Sequence, residues 1–264
     1  MKLYWQIAKN TWDEAVTYRA SFILYRLREF LQIISMYFIW AVVVPSNGDF
    51  FGYTRSSILT YVLLTALVSD VVMATRTTQI ASEINEGVLT NYLVRPLNYL
   101  KYHFARDLGD KAMNVIFSFF ELGIIIALLR PPLQLQTQPF NMLLFVIAVV
   151  FAVVLFFFIS VLISFVGFWS NEGWGPRFIF YQMISFFSGS LFPLDLLPKI
   201  VYDLFSLLPF GYLTFFPVKL YLGQLGQFEI IKGFVIMFFW IFVLYKFTSF
   251  VWAKGLRVYT AQGR

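Results

Sequence analysis

The sequence predicts an all-α, polytopic membrane protein, and three observations carry that prediction. Of 264 residues, 59% are hydrophobic and only 13% charged, with a mean hydropathy of +0.74; soluble domains hold roughly a quarter charged residues. Long apolar runs recur along the chain, broken by turn clusters and prolines. The only long polar stretch, residues 75–111, lies inside the chain between two such runs. At roughly 20 apolar residues per bilayer crossing, the length accommodates about six crossings in one transmembrane domain over residues 1–264.

Residues 1–21 place Trp5, Ala8, Trp12, Ala15 and Val16 on one helical face and Lys2, Lys9, Asp13, Glu14 and Arg19 elsewhere, which predicts an interfacial amphipathic helix. No small-residue cleavage site follows the first apolar core, so the start is expected to be retained. The first crossing is expected over 22–44, ending at Pro45-Ser46-Asn47-Gly48. Arg26 and Glu29, spaced i, i+3 at its mouth, read as a snorkelling pair. The second crossing is expected over 57–74, the third over 112–129 before Arg130-Pro131-Pro132, and the fourth over 140–169. A short turn, residues 170–177, precedes a fifth crossing that begins near Phe178.

Residues 193–229 read as a broken, re-entrant-like element, because Pro193, Pro198, Pro209 and Pro217 interrupt an apolar stretch. Within it Leu197, Ile200, Val201, Leu204, Phe205 and Leu208 recur at helical spacing opposite Lys199 and Asp203. The sixth crossing is expected over 230–252, followed by a tail carrying Lys254, Arg257 and Arg264.

Six crossings put both ends on one side, together with residues 75–111. That side collects 15 of the 20 Lys and Arg residues, so the positive-inside rule makes it cytoplasmic. The broken element then faces outward.

Several function classes are excluded by composition. Without cysteine there is no disulfide or thiolate chemistry, and His103 alone offers no imidazole cluster for a metal. No catalytic nucleophile–base pair is recognisable. None of the 15 glycines precedes a lysine, so a phosphate-binding G-x-x-x-x-G-K-[ST] loop does not exist. Basic charge on a membrane protein reports orientation, and no nucleic-acid partner is expected.

In the central segment Ile80, Ile84, Val88 and Tyr92 recur every four residues, widened by Leu89 and Leu93, with Glu83, Asn85, Glu86 and Thr90 opposite. The spacing predicts an amphipathic helix; a second helical stretch begins at Leu97 after Pro96. Pattern alone leaves two uses open, a linker resting on lipid headgroups or a docking element. Gly87 reads either as a point of close approach or as a weak point in a helix.

Ile84, Gly87, Leu89, Leu93, Arg95, Pro96 and Leu97, read as I-x-x-G-x-L-x-x-x-L-x-R-P-L, resemble the cytoplasmic segment of permease subunits in the ATP-binding-cassette (ABC) type-2 exporter family. The likeness extends to the interfacial helix, the six crossings and the broken outer element. It implies that the segment is a coupling helix seated in a groove of a separate ATPase, with Glu83, Ile84, Glu86, Gly87, Val88, Leu89, Arg95 and Pro96 at or near the contact. It also implies a second permease chain, identical or related, a multi-pass location in the bacterial inner membrane, and a hydrophobic or amphipathic cargo. This chain would bind no cofactor of its own; ATP and Mg would sit on the partner.

Two acids fall inside predicted crossings, Asp70 in the second and Glu121 in the third, and neither should face lipid. They could line a proton or transport path, or pair within the bundle. The first use defines an alternative function, an ion-gradient-driven secondary transporter. Ser185 and Gly189 form a small-x-x-x-small pair in the fifth crossing that would allow close helix packing.

Overall fold

The computed structural model describes residues 2–17, 19–45, 50–170 and 174–260. The turns expected at 46–48 and 171–173 and the end of the basic tail lie outside these. Among the described residues every regular element is helical, apart from one isolated bridge between Phe50 and Tyr53. The chain order is α1 (Lys2–Thr17), α2 (Arg19–Val43), α3 (Arg55–Met73), α4 (Gln79–Asn85), α5 (Thr90–Leu93), α6 (Tyr99–Leu129), α7 (Pro139–Ser164), α8 (Trp174–Phe187), α9 (Lys199–Phe205), α10 (Phe215–Leu222) and α11 (Gln227–Val258). Short 3₁₀ turns lie at Phe165–Phe168, Leu194–Leu196 and Phe210–Tyr212.

Among the described residues four helices are long and apolar enough to cross a membrane: α3, α6, α7 with its 3₁₀ extension, and α11. Their boundaries follow from local chemistry. Thr54 caps α3 by accepting from Ser57 N, and Asn98 caps α6 by accepting from Lys101 N. Arg130, at φ +45°, ends α6 before Pro131-Pro132. Pro139 opens α7, where a missing N–H costs nothing.

Two expected crossings take a different form. α2 has 25 residues, about 37 Å at 1.5 Å per residue, yet carries Arg26, Arg28 and Glu29 in its first half. α8 has only 14 residues, about 21 Å, and cannot alone span a hydrocarbon core about 30 Å thick. The helical stretch expected from Leu97 is the start of α6 itself, which runs unbroken for 31 residues.

The core is built around α3, where Ile58, Leu59, Tyr61, Val68 and Val72 are shielded on all sides. They pack with Leu155 and Phe156 of α7 and with Leu213, Phe215 and Val218 near α10. α10 is thus the buried part of residues 193–229. The apolar stripe read from 197–208 forms α9, but Ile200 and Leu204 stay exposed, at 85% and 59%. A stripe fixes which side chains share a face; it does not fix which short helix that face covers.

α1 packs along α6 through Thr11 and Ala8, and Gly109 permits this, since a Cβ there would lie 2.5 Å from the Ala8 carbonyl oxygen. Trp5 and Trp12 remain exposed. Glu14 receives Arg76 at 2.6 Å and Arg106 at 3.0 Å, and Arg76 also reaches Asp110 at 2.9 Å, tying α1, the central segment and α6 together.

Candidate functional site

The central segment folds as two short helices on the ends of the spanning ones. Its entry is fixed where the Thr77 and Ser160 hydroxyls share a hydrogen bond and Arg177 Nη1 donates to Thr78 O at 2.7 Å. α4 then lies on the Phe165–Phe168 turn at backbone distance. A Cβ on Gly167 would meet Ala81 Cα and O at 3.0 Å, so only glycine lets the two elements approach this closely.

Gly87 is not a weak point inside a helix, because it lies between α4 and α5. At φ +75° it ends the α4 region in the left-handed conformation, and the single helix expected through residues 80–92 is split. The buried stripe consequently runs Ile80, Ile84, Leu89, with Val88 half-exposed. These three pack against Phe157, Val161, Phe165 and Phe168. Tyr259, just beyond α11, fastens the turn: its hydroxyl donates to Gly87 O at 2.8 Å and accepts from Thr90 N at 3.1 Å.

Glu83 faces inward, accepting from the Tyr99 hydroxyl at 2.6 Å and lying 3.1 Å from His103 Nε2. Burial pushes its carboxyl up, but His103, Tyr99 and Arg106 outweigh that and hold it below the ordinary glutamate value. The eight residues expected at the partner contact therefore divide. Ile84 and Leu89 are buried and Glu83 is nearly so; Gly87 and Val88 are half-exposed; Glu86, Arg95 and Pro96 are exposed, beside Val94 at 78%.

A second polar centre joins three helices. Arg26 Nε and Nη2 bind the two oxygens of Glu121 at 2.7 Å each, and Nη1 binds Asp70 Oδ2 at 2.6 Å. Ser118 hydrogen-bonds the same Asp70 oxygen, and the Tyr25 hydroxyl donates to the other at 3.2 Å. The expected Arg26–Glu29 pair does not form; Glu29 pairs with Arg28 at 2.5 Å. Helical spacing could not reveal this, because the partners of Arg26 lie 44 and 95 residues away. Beside the triad a groove of about 410 Å³ opens between α2, α3 and α8, lined in part by Glu29, Gln32, Ser69, Gln182 and Ser190.

Ser185 and Gly189 do not form a helical packing stripe, because α8 ends at Phe187. Gly189, at φ +81°, sits in the following turn, where its carbonyl accepts from Tyr61 at 2.6 Å and a Cβ would lie 2.9 Å from Phe215. Lys111 places its ammonium on the carbonyls of Val71, Val72 and Ala74 at 3.2, 2.8 and 2.6 Å, closing the end of α3. Sequence reasoning also missed a cluster at the opposite end. Lys219 Nζ binds Asp195 at 2.8 Å, the Tyr53 hydroxyl at 3.1 Å and Gln224 at 2.7 Å. A lysine inside the apolar stretch of α10 was the available signal.

A family described as ABC-2 family transporter protein matches residues 30–263. The chain belongs to the ABC-2 transporter family. No curated protein matches it. As an ABC-2 protein it is a multi-pass membrane component of an ABC-type transport system, and the family associates with ABC ATPase partners. The α4–α5 segment, carrying the motif that resembled those permeases, falls inside the matched region.

Proposed function

We propose that this ABC-2 protein is the permease subunit of an ATP-driven exporter that moves a hydrophobic or amphipathic substrate outward, with α4–α5 as the element that docks the ATPase. The observation that carries this is the segment's two-sidedness. Its inner side is wired to α6, α7, α8 and α11 through Ile80, Ile84, Leu89, Arg177 and Tyr259, while Glu86, Val94, Arg95 and Pro96 are left outward. A piece that transmits rigid-body motion needs a firm inner attachment and a free outer surface.

In this arrangement both termini and α4–α5 are cytoplasmic, in agreement with the distribution of basic residues. α2 supplies a crossing whose buried arginine is matched by Asp70 and Glu121. α8 and the turn at residues 188–193 together supply another, and α9 and α10 cover the outer end. Two permease chains and two ATPase subunits make the working unit in the bacterial inner membrane, and ATP with Mg sits on the ATPase. The gradient-driven alternative is not favoured, since both acids it would use are bound to Arg26.

Affinity isolation from native membranes tests this, comparing the unaltered chain with Glu86→Arg/Val94→Asp, both at exposed positions. An ABC ATPase should accompany the unaltered chain and be lost from the variant. Equal recovery of the ATPase with both would refute the docking assignment, and no ATPase with either, even after crosslinking, would refute the exporter assignment.

A further inference from the structure

Between α5, the start of α6, α7 and α11 lies a slot of about 650 Å³, within the range of small-ligand sites. Its wall is apolar and aromatic: Phe104 meets Phe157 edge-on at 4.9 Å, and Phe158 meets Tyr245 at 5.8 Å. Tyr99 stacks on Trp252 at 5.1 Å. Three of the helices long and apolar enough to cross a membrane, α6, α7 and α11, contribute to it. Trp252, near the end of α11, and Tyr92, Tyr99 and Tyr245 give the slot the Trp and Tyr content of a membrane-interface belt. Lys101, exposed, stands at the mouth with Asn98, and no acidic residue lines the slot among the described residues.

We propose that this slot holds an anionic phospholipid of the leaflet that borders α4–α5, with one acyl chain against Phe157, Phe158 and Trp252 and its phosphate toward Lys101. An apolar channel beneath an aromatic belt, with a cation and no carboxylate at its mouth, matches a lipid whose headgroup carries net negative charge. Tyr92, Leu93 and Leu97 also line the slot, so the lipid would contact the element proposed to dock the ATPase. That consequence rests on the proposed function. Lipid binding itself needs only the membrane topology.

Native mass spectrometry of the full chain tests the binding without any ATPase. The chain is released from bilayers of equal phosphatidylglycerol and phosphatidylcholine, and retained lipids are counted for three proteins: unaltered, Lys101→Glu, and Ser249→Trp, which fills the slot from α11. The unaltered chain should retain phosphatidylglycerol preferentially. Lys101→Glu should cut that preference about fivefold or more, and Ser249→Trp should remove the retained lipid. Lys101 is exposed, so its variant reads the charge effect whether or not the bulky one folds. Equal retention of the two lipids by the unaltered chain, an unchanged preference in Lys101→Glu, or full retention in a folded Ser249→Trp would each overturn the proposal. Displacement of the lipid by an uncharged amphiphile at equal concentration would do so too, marking a cargo site instead.

Discussion

Replacing Arg26 with Met should be the most damaging single polar substitution in the membrane domain. The guanidinium makes four hydrogen bonds to side chains on two other helices: two to Glu121, one to Asp70 and one to Ser118. The carboxylate side chains it holds are only 5% and 9% exposed. Removing one partner of a buried ion pair leaves uncompensated charge and costs about 3–5 kcal/mol, or roughly two to four orders of magnitude in the folded-to-unfolded ratio. Met keeps most of the volume, so the loss is electrostatic rather than a cavity effect. Unfolding of the purified chain by SDS in mixed micelles measures it. The decisive comparison is the triple variant Arg26→Met/Asp70→Asn/Glu121→Gln, in which no charge remains. Because a neutral replacement of a whole buried ionic group is often tolerated, it should recover most of the stability. If Arg26→Met unfolds within about 0.5 kcal/mol of the parent, the normal scatter of an inert surface change, the triad contributes nothing. If the triple variant is no better than the single one, charge compensation is not the reason for the loss.

Tyr259→Phe removes the hydroxyl that holds Gly87 and Thr90, at about 1 kcal/mol per hydrogen bond; amide exchange over residues 87–94 should quicken several-fold while α3 is unchanged. Gly167→Val forces a Cβ against the Ala81 backbone and should lower stability by about 1–3 kcal/mol, with faster exchange in α4; an unchanged unfolding midpoint would mean that the contact is slack. Glu83 has a folded pKa below its unfolded one, near 4.3, so its contribution is complete above that value and disappears as pH falls through the lower folded value. Unfolding at pH 6 and at pH 3.5 should therefore show a larger acid loss for the parent than for Glu83→Gln, and parallel losses would contradict the depressed pKa.

The spanning helices were legible because a run of about 20 apolar residues has few other uses. The α6, α7 and α11 boundaries fall near those expected, at least at the ends where proline, glycine or a capping residue marks them. α8 was harder. Its apolar run continues past Phe187, and hydropathy does not register that the chain leaves the helix at Ser188 to place Gly189 beside Tyr61. For α9 and α10 the periodic stretch is the exposed one and the buried one is nearly uniform in hydrophobicity. A helix buried on every side has no stripe to read.

The central segment was legible in composition and motif but not in shape, and the reason lies at Gly87. A four-residue period through Ile80, Ile84, Val88 and Tyr92 describes one helix only while every residue keeps φ near −60°, and Gly87 takes +75° instead. The turn redirects the buried stripe from Val88 to Leu89 and brings the Gly87 carbonyl to Tyr259, 172 residues away. This tertiary bond ties the segment to the end of α11 as well as to its covalent neighbours α3 and α6. Under the proposed function, displacing α4–α5 would therefore pull on α7 and α11 as well as on the two helices it connects. The polar triad has the same character at the level of charge. Arg26, Asp70 and Glu121 each look costly when read along one helix, and only the packing of α2, α3 and α6 makes them one satisfied group.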